Sequence, residues 1–239
     1  MYPFRIRNLF PALALTLAVL IHCGAPASAA TPTANAELTI DTTLSKVVWH
    51  ARKVVGDQHR GTVAVKSGSV SLGPDGKPTA AQITIDMRSI ENEDVTNERW
   101  NAKLVKHLKS DDFFAVSKHP VATLVVTEIR EGAKESGYTH TLDGNLTIRG
   151  ETRPTSFPAK IVLGDGAATA TGRLTVDRTE FGVRYGSGKF FQNLGNRVIA
   201  DNFTLEFEIH AGGDASRAAA TSRGRVRRMQ RSKASATAQ

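Results

Sequence analysis

The sequence predicts an all-β fold, an eight-stranded antiparallel barrel with a short amphipathic helix at its side. Three observations predict it. Apolar and polar residues alternate with period two along most of residues 46–210, turns rich in Gly, Pro and Asp punctuate the alternation, and one stretch near residue 100 switches to helical spacing. A long sheet with one wet face must pack on a second layer or close on itself, and closure removes its edges.

Taken in order, strands fit Lys46–Val55, Thr62–Leu72 and, after the turn "GPDGKP", Ala80–Met87. From Asn97 the spacing is helical, with Trp100, Leu104 and Leu108 forming a stripe and Asn101 and Val105 beside it. Glu98 in the first turn and Lys106 and Lys109 in the last suit the helix dipole. Ser110 reads as the N-cap of a second short turn, with Asp111 and Asp112 at its positive end. Phe113 and Phe114 follow that cap and need burial, which the open end or flank of the barrel can supply.

Strands resume at Val121–Ile129, and the turn "REGAKESG" leads to the next. There Tyr138, His140, Leu142, Gly144, Leu146 and Ile148 share one face. Thr155–Leu163 follows, then a strand with Ala168, Ala170, Gly172, Leu174 and Val176 inward, and a last one with Phe203, Leu205, Phe207 and Ile209 inward. The inward face therefore combines small residues (Gly144, Ala168, Ala170, Gly172) with few aromatics. A barrel of this size is either plugged by side chains or holds one small ligand.

Residues 178–202 interrupt the strands a second time. A connection this long is usually functional or disordered, and Phe181, Tyr185, Phe190 and Phe191, hinged by Gly182, Gly186, Gly188 and Gly195, argue against disorder. The expectation is a lid over the barrel mouth. Its "GSGK" is no P-loop, because Val183 stands where the first Gly is required and Phe190 replaces the Ser/Thr.

The two ends read differently from the domain. Arg5 and Arg7, an apolar run from Leu9 to Ile21 and Ala27-Ser28-Ala29 have the form of a cleaved secretory signal over residues 1–30. Cleavage near Ala29/Ala30 would place the protein in the periplasm or outside the cell. It would also remove Cys23, the one cysteine, and with it any disulfide, Cys-ligated zinc or cysteine nucleophile. The chain's 31 bases and 23 acids fall to 22 and 22 over residues 31–211 once the two bases of 1–30 and the seven bases and one acid of 212–239 are set aside. The domain is neutral, and the basic charge belongs to a tail of Ala, Ser, Thr and Arg that reads as disordered. An exported chain seldom meets nucleic acid, so the tail is expected either to lie near an anionic envelope surface or to have no partner at all.

No G-x-S-x-G elbow occurs, and the six histidines beyond residue 30 are scattered, none at the H-E-x-x-H spacing. A spatial cluster, such as His59 with His140, is left open.

Four blocks carry a resemblance: "SKVVWHARKVVGDQHRGTVAVKSGSV", "KLVKHLKSDDFFAVSKHPVATL", "LDGNLTIRGETRPTSFPA" and "VDRTEFGVRYGSGKFFQNLGNRVIADNFTLEFEI". Together, over residues 37–210, they resemble the YceI-like family of exported lipid- or polyisoprenoid-binding proteins. The resemblance implies a lipocalin-like barrel whose elongated apolar cavity holds an isoprenoid amphiphile such as a quinone or polyprenyl lipid. A non-enzymatic carrier without cofactor or metal is therefore expected, neither transmembrane nor nucleic-acid-binding. The alternatives are an enzyme acting on such a lipid and an envelope-surface assembly module working through the tail. The residues expected to touch the ligand are Trp49, Phe113, Phe114, Leu124, Leu142, Leu146, Leu174, Phe181, Arg184, Tyr185 and Phe190. Arg184 and Tyr185, with His50 or Arg52, are the candidates for a head group.

Overall fold

The computed structural model describes residues 36–164 and 166–212; the signal-like segment, Cys23 and the tail beyond Gly212 lie outside the described residues. The alternating sequence forms nine strands: β1 (Glu37–Ile40), β2 (Lys46–Arg52), β3 (Gln58–Leu72), β4 (Pro78–Asn92), β5 (Val121–Glu131), β6 (His140–Ile148), β7 (Glu151–Gly164), β8 (Ala167–Asp177) and β9 (Asn202–Gly212). Neighbours are antiparallel, and the pairing of β3 with β4 closes the ring.

The ring has eight positions because β1 and β2 share one, each pairing with β3 on one side and β9 on the other. A turn separates them, in which the Asp41 carboxylate accepts from the amides of Thr43 (2.9 Å) and Leu44 (3.1 Å). β1 is missing from the strands the sequence predicts. Four residues with only Leu38 and Ile40 pointing inward offer too little alternation to register.

The pairings define two ends. One end, the floor, carries the connections 73–77 and 132–139 and the link between β7 and β8, and the other, the cap, carries 53–57, 93–120, 149–150 and 178–201; the 41–45 turn interrupts the wall beside His210. Near the cap, β4 bulges. Its pairing with β3 jumps from Glu91 opposite Thr62 to Asp86 opposite Ala64, and the extra residues turn both Met87 and Ile90 into the core. The bulge is held by Ser89, whose hydroxyl accepts from the Ala64 amide at 2.7 Å.

α1 (Glu98–Lys109) starts where Asn97 accepts the Trp100 amide at 3.2 Å. Asn101 fixes the helix to the end of β4, its amide donating to the carbonyls of Asn92 (2.9 Å) and Val95 (3.0 Å). The structure corrects two expectations here. Trp100 is 59 % exposed with the Lys103 ammonium 5.0 Å over its ring, because the stripe meets the barrel only from Leu104 onward. Ser110 ends α1 and also opens the turn that follows, its carbonyl accepting from the Phe113 amide at 3.1 Å, but its hydroxyl donates back to the His107 carbonyl at 2.8 Å instead of capping that turn. No helix among the described residues is long and apolar enough to cross a membrane.

Candidate functional site

Inward side chains of β2–β9 line a cavity of about 200 Å³, counted as room for the centre of a water-sized sphere. A single water needs only about 10–15 Å³ on that measure, so the barrel is not packed solid. Of the 35 lining residues only Thr123 and Arg178 are polar. The indole N–H of Trp49, the other hydrogen-bonding group in the wall, donates to the Glu91 carbonyl at 3.1 Å.

Aromatics are more prominent than the sequence suggests. Trp49, Phe113, Phe114, Phe157, Phe203 and Phe207 all line the cavity. Phe157 meets Phe207 edge-on with centroids 5.7 Å apart, and Phe114 meets Phe203 at 6.3 Å. Two glycines make room for these rings. A Cβ at Gly172 would stand 2.4 Å from the Phe207 ring, and one at Gly61 would stand 2.7 Å from that of Trp49. Of the four small inward residues, Ala168 and Ala170 do border the cavity. Gly172 is covered by Phe207, and Gly144 accommodates the close backbone of Val125 and Val126 on β5.

The cap is built from two segments. Phe113, buried, and Phe114, half-buried, close the cavity after α1. Residues 178–201 close it from the other side, burying Phe181 and Val183. Arg178 organises this second segment from inside. Its side chain is only 4 % exposed. Nε donates to Ala200 O (3.0 Å), Nη1 to Val183 O (2.9 Å) and Tyr185 O (2.8 Å), and Nη2 to Ile199 O (3.1 Å). Asp201 adds charge at 3.5 Å. Burial pulls the pKa of this guanidinium down and Asp201 and Asp177 oppose that pull, so the group stays charged.

Arg149 joins the two segments. It occupies the turn between β6 and β7 at φ 54°, beside Gly150 at 78°. A two-residue hairpin turn of this kind requires positive φ at both positions and suits Asn-Gly far better than Arg. Its Nη1 donates to Phe113 O (2.6 Å) and Gly182 O (3.3 Å), which ties one half of the cap to the other. Asp177 anchors the start of the loop, accepting from the Thr179 amide (2.9 Å) and Lys189 (2.8 Å). Burial pushes its carboxyl up, but the bonds from Lys189 and Thr179 outweigh that and hold it below its ordinary value.

The expected ligand contacts divide accordingly. Trp49, Phe113, Phe114, Leu124, Leu142, Leu146 and Leu174 line the cavity. Phe181, Arg184, Tyr185 and Phe190 do not. Phe181 is buried beneath the loop, Tyr185 packs against His107 at 4.6 Å, and Arg184 lies over the exposed Phe190 ring at 4.7 Å. His50 and Arg52 are also excluded from the interior, since Val47, Trp49 and Ala51 take the inward positions of β2; His50 faces Glu206 on the outer wall at 3.4 Å. His59 pairs with Asp94 at the cap end, whereas His140 begins β6 at the floor, so the two do not meet. Arg178 and Arg149 were missed by sequence reasoning, for neither lies on an amphipathic period. Among the described residues no three of His, Cys, Asp and Glu converge to hold a metal ion.

The YceI-like domain model matches residues 38–211, the whole of this barrel from β1 to β9. The chain belongs to the YceI-like family. Among curated relatives, a UPF0312 protein of Pseudomonas aeruginosa is 33 % identical over 119 residues, covering 47 % of this chain and 56 % of that protein. One from Pectobacterium atrosepticum is 39 % identical over 80 residues, 34 % and 36 % of the two chains. The chain thus spans 36–60 % of the length of the curated relatives it matches. Among solved structures, Burkholderia cenocepacia BcnA has a TM-score of 0.55 at 24 % identity, with 72 % of this chain and 99 % of that one aligned. A polyisoprenoid binding domain from Saccharophagus degradans implicated in plant cell wall breakdown has a TM-score of 0.50 at 16 % identity, covering 75 % and 99 %. At these identities the likeness speaks for the YceI-like barrel itself, the eight-position antiparallel ring with one helix at its side.

Proposed function

We propose that this protein is a non-enzymatic carrier of a long apolar lipid of the isoprenoid class, held with its tail in the barrel. The observation that carries the reading is the lining, apolar at all but two of its 35 residues. The two strongest donors are not offered to a ligand, since the Trp49 N–H is bonded to Glu91 and Arg178 donates from all three of its nitrogens to four loop carbonyls, which leaves the Thr123 hydroxyl as the one polar side-chain group in the lining. Such a cavity selects for chain shape and apolarity, and it leaves the polar head outside. A tail losing on the order of 400 Å² to the wall would contribute on the order of 10 kcal/mol before association costs. The polyisoprenoid-binding description of the Saccharophagus neighbour supports the same ligand class.

The site of action that fits this cargo is the periplasm or the exterior, given the signal-like Arg5, Arg7, Leu9–Ile21 and Ala27-Ser28-Ala29. Amino-terminal sequencing of the protein recovered from a bacterial host tests that part, with a start near Ala30 or Thr31 expected. The carrier reading is tested by mass spectrometry of an organic extract of the purified protein. One isoprenoid lipid per chain is expected. An empty extract, together with no uptake of added quinone or polyprenol, would overturn the assignment.

A further inference from the structure

The two ends of the barrel differ in what they show to solvent. On the cap connections Val54, Val55, Trp100, Tyr185, Phe190 and Phe191 are all exposed, four of them aromatic. Toward the floor the exposed large apolar residues are Val162 and Leu163 on β7, both aliphatic, and Leu44 lies in the turn between β1 and β2. The cations are divided in the same way. Among the described residues, seven cations on the cap connections make no salt bridge (Arg99, Lys103, Lys106, Lys109, Arg149, Arg184 and Arg197, of which Lys109 and Arg149 donate to carbonyls) against two such carboxylates, Glu98 and Glu180, whereas the floor connections hold a single such cation, Lys134. Two of the cap cations lie on aromatic faces, Lys103 over Trp100 at 5.0 Å and Arg184 over Phe190 at 4.7 Å.

Exposed rings are costly to hydrate, and soluble surfaces seldom gather so many large apolar groups at one end without an interaction to explain them. A protein partner would be met by apolar residues and by carboxylates matched one to one. Here rings and unpaired bases are interspersed, which is the composition of a surface that lies in the head-group region of a bilayer, with Trp, Tyr and Phe at the acyl boundary and Lys and Arg among anionic heads. The cap is also the end where Phe113 and Phe114 stand between cavity and solvent.

We infer that the cap end is a docking surface for an anionic lipid bilayer, and that the barrel meets the membrane with α1 and the loop 178–201. The inference rests on the carrier reading only in naming the bilayer as the source of the cargo.

The two tryptophans separate the test. Trp100 is at the docking surface and Trp49 is in the cavity wall, and they are the only two in the chain. The full chain is mixed with vesicles of acyl-brominated phosphatidylcholine, with and without phosphatidylglycerol, and fluorescence is compared with that of Trp100→Phe. Trp100 should be quenched by the anionic vesicles, little by the zwitterionic ones, and less as salt is raised. F190S/F191S should weaken the apparent affinity about tenfold or more. Lys103→Gln and Lys106→Gln should each weaken it about fivefold. All these side chains are exposed, so the variants should keep the parent's unfolding midpoint, which confirms that they fold.

Quenching confined to Trp49, no quenching at all, or quenching of Trp100 that is indifferent to phosphatidylglycerol and to both sets of variants would overturn the docking surface. Lipid in the organic extract without Trp100 quenching leaves the carrier reading standing and removes this one. Trp100 quenching with an empty extract and no uptake does the reverse.

Discussion

The wall of the barrel and its cap enclose the same cavity by opposite means. The wall is a strand ladder with apolar side chains on its inner face, and what those side chains contribute is non-directional and spread over many residues. Leu142, Leu146, Phe157 and Ile209 share it, and none of them is indispensable to its character. The cap has too few residues for that. It borrows a few large side chains, Phe113, Phe114, Phe181 and Val183, and holds their backbones through directional bonds from Arg178 and Arg149. A wall of this kind tolerates drift in sequence, whereas the cap concentrates its dependence in two arginines.

The most severe way to break the contrast is Arg178→Met. Four carbonyls would lose their donor at once, and a destabilisation of about 3–5 kcal/mol is expected from urea unfolding. A loss below about 1 kcal/mol would mean that water replaces the guanidinium and that the cap does not depend on it. The matching experiment on the wall is Ala170→Phe, which fills cavity space between Ile161 and Ile209. It should cost about 1–3 kcal/mol through overpacking, yet empty the organic extract of lipid. An unchanged lipid content would place the cargo elsewhere.

Arg149→Gly separates turn strain from tethering. Glycine relieves the positive φ, but the Phe113 carbonyl loses its donor. The two effects oppose each other, so the net change in stability should stay near about 1 kcal/mol, while hydrogen exchange in residues 110–116 and 179–184 should accelerate. Uniform exchange across the barrel would count against a tether.

The smallest effect concerns pH. The Asp177 carboxyl is held below its ordinary value, so its stabilisation is present above the unfolded pKa of about 3.9 and is lost as pH falls through the lower folded value. Acidification from neutrality to about pH 5 should leave the loop in place, and protection there should fall only below about pH 4. Asp177→Asn should flatten that acid dependence.

The wall was legible in the sequence because a half-buried strand writes its burial into every second residue. The inward faces from β6, β8 and β9 follow Leu142 to Ile148, Ala168 to Val176 and Phe203 to Ile209 as the alternation predicts. β1 was illegible for want of length. The burial of Phe113 and Phe114 followed from their apolarity alone. Apolarity misled for Trp100, Tyr185 and Phe190, whose rings stay largely exposed and lie against Lys103, His107 and Arg184. Arg178 could not be found by pattern, since its burial is compensated by carbonyls from residues 183 to 200 and no local rule anticipates that convergence.

The shared ring position of β1 and β2 has a practical consequence for anyone handling the molecule. Thr39 is paired with Gly212, so the polypeptide comes into the barrel and goes out of it side by side. Both crossings are at the floor, diametrically opposite the arginine-held end. A tag, a fusion partner or an immobilisation linker joined directly at either crossing starts from the floor. A new chain start could be cut at the 73–77 turn, with the old ends spliced by a short linker, without disturbing either arginine.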